Sequence, residues 1–205
     1  MEKRIILGSG SPRRRELLEQ IGIRFEIRTS DKEERYVSTK PRDIVEELAR
    51  MKVEHVASEL SDTTSLKNTI VIGADTIVAL DGQILGKPVD EQHAFEMLKN
   101  LQGRGHEVYT GVAILDFDEN GNRQTICHVE KTAVFIHEME DTEIRAYIAT
   151  GEPMDKAGAY AIQGCFGAYV DRIEGDYYTV VGLPLSYVYR QIKRLTTNMT
   201  GGKEQ

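Results

Sequence analysis

Cysteine is nearly absent from this chain of 205 residues. Only Cys127 and Cys165 occur, with no CxxC spacing between them. That fits a reduced, cytoplasmic compartment and leaves both as expected inert packing residues. The histidines (His55, His93, His106, His128 and His137) are scattered, and none falls in an HExxH or other zinc spacing, so no zinc site is expected. No apolar run is long enough to span a membrane, and Arg4 interrupts the N-terminus at once, so neither a signal peptide nor a membrane anchor is expected. No repeat recurs, and no Pro- or Gly-rich linker divides the chain. Positive charge is in deficit: 26 Lys and Arg stand against 33 Asp and Glu, for a net charge of −7. An acidic chain is a poor partner for nucleic acid or a membrane surface, so any basic cluster is local and purposeful. A hydrophobic content of 40% suits one globular domain, or two lobes sharing a core.

One basic cluster stands out. Residues 5–18 read as a short apolar strand, a Gly/Ser turn (Gly8-Ser9-Gly10-Ser11), and a helix opened by Pro12 whose first turn carries Arg13, Arg14 and Arg15. Proline suits that first turn, with Ser11 as its cap. Arginine does not, because its charge opposes the helix dipole. The arrangement reads either as a solvated basic face or as a seat for a polyphosphate, with small residues letting the backbone approach closely. The dinucleotide fingerprint is excluded because Arg13 stands where its third glycine belongs, and the Walker pattern lacks its Gly-Lys-Ser/Thr.

The remaining pattern alternates early and then favours hairpins. Residues 23–29 predict a strand. Pro41 opens a helix with Ile44, Val45, Leu48, Met51 and Val56 near helical period. Residues 58–68 read as a polar loop. Ile70-Val71-Ile72 marks a buried strand, and Asp81-Gly82 a hairpin between residues 77–80 and 83–85. Asp90 caps a helix that runs to Leu101 with Gly103 beyond it. Long strands follow at 108–117 and 123–136, then a helix over 141–150 stopped by Gly151. Residues 158–181 read as short strands and turns, 185–195 as a final helix, and 196–205 as a tail without fixed structure. These elements predict an α/β fold with a mixed sheet.

Several segments could carry chemistry. Gly73-Ala74-Asp75-Thr76 puts an acid at the end of a buried strand, where α/β folds place ligands. Asp75 there could act as a base, bind a metal or brace a turn. Lys52 flanks the apolar face of the Pro41 helix, where it faces the site or snorkels. Lys87, in Leu85-Gly86-Lys87-Pro88, ends a hairpin. Glu33 and Glu34 sit in an acidic loop. Residues 151–164 mix charge, glycine and apolar residues without a period, as a ligand-shaping loop does, and Gln163 has both donor and acceptor for a base edge. The tyrosines of Gly175-Asp176-Tyr177-Tyr178 either line a cleft or pack.

Taken together, Ser9-Gly10-Ser11-Pro12-Arg13-Arg14, Gly73-Ala74-Asp75-Thr76, Leu85-Gly86-Lys87-Pro88, Gly111-Val112 after Gly103-Arg104-Gly105-His106, the segment from Asp155 to Gly164, and Gly182-Leu183-Pro184 resemble the Maf-like nucleoside triphosphate pyrophosphatases in the same order. The resemblance implies an elongated, twisted mixed sheet with flanking helices and two lobes around a deep cleft, as one domain over residues 1–195. It implies hydrolysis of a nucleoside triphosphate to monophosphate and pyrophosphate with a divalent cation, Mg²⁺ or Mn²⁺. By motif position Asp75 is similar to the family's proton acceptor, and Glu34, Lys52 and Lys87 to its other catalytic residues. Asp75 and Glu34 offer carboxylates to the metal. Ser11, Arg13, Thr76 and Gln163 match the substrate-binding and specificity positions, in the pattern of the subgroup acting on dTTP, UTP and some modified pyrimidine nucleotides. Gly8 departs from the alanine common there. The alternatives are a pyrophosphatase of 7-methyl-GTP or another purine nucleotide, and a non-hydrolytic nucleotide-binding regulator, since the family has been linked to cell division and septum formation. A homodimer is a further family-level expectation.

Overall fold

The computed structural model describes residues 3–29, 34–61 and 66–197. Its centre is a seven-stranded sheet among the described residues, ordered β2-β1-β3-β5-β6-β7, with β4 on the free side of β3. The strands are β1 (Arg4–Leu7), β2 (Glu26–Ile27), β3 (Thr69–Leu80), β4 (Gln83–Leu85), β5 (Gly105–Phe117), β6 (Arg123–Ile136) and β7 (Val170–Glu174). The helices are α1 (Pro12–Gln20), α2 (Pro41–Ser61), α3 (Glu91–Leu101), α4 (Asp141–Ile148), α5 (Tyr177–Val181) and α6 (Leu185–Thr197). β1 runs parallel to β2 and β3, and every other pairing is antiparallel. The α/β class and the mixed sheet are as the sequence predicts.

β3 organises the fold. Along one side it pairs with β5 from Thr69 to Ala79 without a break. Along the other it pairs with β1 as far as Ile72, and with β4 only from Val78. One further bond, from Gly8 N–H to the Ile72 carbonyl at 2.7 Å, prolongs the β1 side. The stretch Gly73–Ile77 therefore has a strand neighbour on one side only. The sequence reading ends this strand at Gly73 and puts Asp75 beyond it. Instead the ladder to β5 carries the backbone straight through, and Asp75 lies in mid-strand.

Helices cover both faces. α2 buries Val53, Val56, Ala57 and Leu60 against Val71, Ala113 and Leu115 on one face. α1 and α6 bury Leu17, Leu18, Val188 and Ile192 against Ile70, Ile72, Val112 and Ile114 on the other. A third core gathers α3, α4 and Phe166 around Val78, Val108 and Val134. Among the described residues no helix is long and apolar enough to cross a membrane.

Several boundaries differ from expectation. Residues 58–61 continue α2 rather than opening a loop, because Leu60 is buried in the core; residues 62–65 lie outside the described set. Met51 is half-buried, and Ala49 and Val53 complete the apolar face in its place. The strand expected over 23–29 shrinks to Glu26–Ile27, which among the described residues pair only with Ile6 and Leu7 of β1. Within 158–181, Tyr177–Val181 is helical: Asp176 Oδ2 accepts from the Thr179 N–H at 3.0 Å and caps it. Thr196 and Thr197 extend α6, and the rest of the expected tail is outside the described residues. Cys127 is half-buried, but Cys165 is exposed.

Candidate active site

Two glycines set the distance between α2 and the sheet. Gly73 on β3 faces α2 so closely that a Cβ there would lie 2.6 Å from Val53 Cγ1 and 3.2 Å from the Ala49 carbonyl. Gly111, paired with Asp75 across the ladder, meets the backbone of Val45 directly, and a Cβ would overlap it. Side chains alternate along a strand, so Gly73 and Asp75 share the face under α2. The close approach brings Lys52 of α2 onto that acid, with Lys52 Nζ 2.5 Å from Asp75 Oδ1 and 2.8 Å from Glu34 Oε1. Lys52 thus points into the site rather than snorkelling. Burial raises Asp75 above the usual aspartate range, while Lys52 and then Arg14 pull it back toward the ionised form.

Thr76 points to the opposite face, yet it lines the same cleft of about 870 Å³ as Asp75. This is possible because β3 lacks a neighbour between β1 and β4, so the cleft wraps around an open strand edge. Ser11, Arg13, Glu34, Lys52, Asp75, Thr76, Lys87 and Gln163 all line it, as does Arg14. The site residues expected from sequence are therefore all brought to one cleft, although they come from six separate segments.

Each is held by its own local structure. Ser11 takes the N-cap position of α1, but its side chain makes no capping bond; its N–H donates to Ser9 Oγ at 3.3 Å. The capacity of this Gly/Ser turn to seat an anion through its amides is thereby reduced, because the Gly8 and Ser11 N–H groups are already engaged. Arg13 is half-buried and close enough to Asp155 to help Lys156 hold that carboxyl below its ordinary range. Lys87 is exposed, on a turn anchored by the Gly158 N–H donating to the Gly86 carbonyl at 3.0 Å. Gln163 is exposed, beside Gly164, where a Cβ would overlap the Glu152 carboxylate. That carboxylate accepts from Tyr147 Oη at 2.8 Å and the Cys165 N–H at 3.0 Å, which pins the segment carrying Gln163.

Sequence reasoning missed Arg14 as a separate element of the site. Its Nε donates to the Gly182 carbonyl at 2.8 Å, Nη1 to Ser9 Oγ and Nη2 to Thr76 Oγ1, both at 3.1 Å. Nothing in a run of three arginines tells which one turns inward, since that depends on how α1 docks against residues far along the chain. The Glu152 clasp was equally hidden. Its only trace is a charged residue followed by proline within the aperiodic segment.

A sequence model of the Maf-like protein family matches residues 4–195. This chain belongs to the Maf-like family. It is 49% identical over 190 residues to a dTTP/UTP pyrophosphatase from Lachnoclostridium phytofermentans, spanning 93% of this chain and 94% of that protein. It is likewise 49% identical over 199 residues to a dTTP/UTP pyrophosphatase from Bacillus cereus, spanning 97% and 93%. Among solved structures, the Ham1 protein of Staphylococcus aureus superposes with a TM-score of 0.50 at 16% identity, over 92% of this chain and 100% of that one. That likeness bears on the fold alone.

Proposed function

We propose that this Maf-like protein hydrolyses nucleoside triphosphates, dTTP and UTP and their modified pyrimidine relatives, to the monophosphate and pyrophosphate. The observation that carries the reading is the meeting of an acid, Asp75, with Lys52, Arg13 and Lys87 in one cleft large enough for a nucleotide. The family's dTTP/UTP pyrophosphatases, about half identical in sequence, support the substrate class.

In this reading Asp75 orients the attacking water and takes its proton. Lys52 keeps Asp75 ionised against its burial. Arg13 and Lys87, which both line the cleft, hold the phosphates and offset their charge. Ser11, Thr76 and Gln163 select the nucleotide, with Gln163 pairing with a base edge. No covalent nucleophile is required.

A divalent cation fits the corner where Glu34 and Asp75 meet. Both carboxylates converge on the same Lys52 ammonium, Asp75 Oδ1 at 2.5 Å and Glu34 Oε1 at 2.8 Å. Among the described residues no larger cluster of His, Cys, Asp and Glu forms. One or two carboxylates completed by phosphate oxygens and water are what Mg²⁺ accepts. When bound, the ion would offset charge on the phosphoryl oxygens and the departing pyrophosphate.

A panel of triphosphates assayed for pyrophosphate release with Mg²⁺ or Mn²⁺ should rank dTTP and UTP first. A preference for 7-methyl-GTP or another purine nucleotide would overturn the substrate class. Tight binding without product would overturn the reaction. Hydrolysis in ¹⁸O-water should place the label in the nucleoside monophosphate, as attack at the α-phosphorus requires. Label confined to pyrophosphate would rule that attack out.

A further inference from the structure

The hydrogen bonds around Thr76 have a fixed direction. Arg14 Nη2 can only donate, and it donates to Thr76 Oγ1 at 3.1 Å. The Thr179 carbonyl can only accept, and it takes the Thr110 hydroxyl proton at 2.7 Å. Thr76 Oγ1 and Thr110 Oγ1 lie 2.9 Å apart. Thr110 has already spent its single proton, so the proton between the two hydroxyls belongs to Thr76. The chain runs one way, from Arg14 through Thr76 and Thr110 to the Thr179 carbonyl. Thr110 and Thr179 are fully buried, so water cannot substitute for either.

A threonine hydroxyl has one proton and two lone pairs. With the proton given to Thr110 and one pair taken by Arg14, Thr76 keeps a single lone pair for a ligand. Gly182, whose φ is +124°, leaves the approach open: a Cβ there would stand 3.4 Å from Thr76 Oγ1.

We infer that Thr110, with Arg14, is a positioning residue that fixes Thr76 as a hydrogen-bond acceptor only, so that the cleft favours a base presenting an N–H at this point. Uracil and thymine carry a proton on N3, and cytosine carries a lone pair there. The inference rests on the proposed pyrimidine substrates and gives their discrimination a physical cause. A base offering an acceptor to Thr76 meets two lone pairs face to face, and a polar site rejects such a mismatch strongly.

Thr110→Val keeps the shape but removes the relay's acceptor, which frees the Thr76 proton to turn toward the ligand. The ratio of kcat/KM for UTP over CTP should then fall about tenfold, the factor one hydrogen bond supplies, mainly through a gain on CTP. Thr110→Ser should restore the wild-type ratio. Simple loosening of the site would lower both substrates alike and leave the ratio unchanged, which would overturn the inference. Should Thr110→Val not fold, the unaltered protein answers the question: it should bind 3-methyluridine triphosphate, which lacks the N3 proton, at least about tenfold more weakly than UTP. Comparable binding would overturn the inference. The absence of any UTP preference in the unaltered protein would sink the substrate reading together with this one. A preference that survives in Thr110→Val would sink the relay alone.

Discussion

Asp75→Asn should lower kcat by about 10²–10³-fold or more while leaving the fold intact, by analogy with the loss of a single well-placed transition-state group. The amide is nearly isosteric, and its oxygen can still accept from Lys52. It cannot accept a proton from water. The backbone of residue 75 is held by the ladder to Gly111 whatever side chain it bears. Glu34 remains as a partner for Lys52 at 2.8 Å, so the ammonium is not stranded. Burial raises the Asp75 pKa, which means that the folded state pays to hold this carboxylate ionised. Removing the charge therefore relieves a cost, and the melting temperature should be unchanged or higher. Steady-state pyrophosphate release and a thermal melt on the same preparation decide the matter. Normal turnover in a folded variant would remove Asp75 from the role of base.

That pairing of lost activity with retained stability is characteristic of a group held in place for chemistry rather than for packing, and it explains which parts of the molecule were legible in the sequence. The β1 strand, the Pro12 helix, the Asp81-Gly82 hairpin and the Asp90 cap are local signals. Asp81 and Gly82 both take positive φ, 52° and 77°, as a tight hairpin turn demands, and Asp90 accepts from the His93 N–H at 2.7 Å. The polar residues of the site were legible through the order of their motifs. Their convergence was not. The mid-strand position of Asp75 depends on β5 running past it, and Arg14 turning inward depends on the Gly182 carbonyl, 168 residues away. α5 was missed because five residues, two of them valine and one threonine, are too short to show a helical period. For Asp75 and Arg14 the deciding partner is distant in sequence, so no window on the chain contains it.

Gly111 is where that long-range dependence should be most visible. Its backbone is not in the left-handed region, so alanine there carries no conformational penalty, and the whole effect must be steric. The new methyl would overlap the Val45 carbonyl, which is helix backbone and has no rotamer through which to escape. α2 must lift from the sheet, and two consequences follow from one movement. Overpacking of this kind costs about 1–3 kcal/mol and at times more, which for a chain of this size lowers the melting temperature by roughly 2–12 °C. The same lift draws Lys52 away from Asp75, whose carboxylate then bears its burial without its main compensating charge. Turnover should fall by about tenfold or more at temperatures where the variant is still folded, with the loss in kcat rather than KM, because Arg13 and Lys87, proposed to hold the phosphates, lie off α2. Gly73→Ala makes the useful comparison. Its methyl would press chiefly on Val53 Cγ1, a side-chain atom that can rotate, so both losses should be smaller. If Gly111→Ala melts and turns over like the unaltered protein, the close seat of α2 on the sheet is not what delivers Lys52 to the acid.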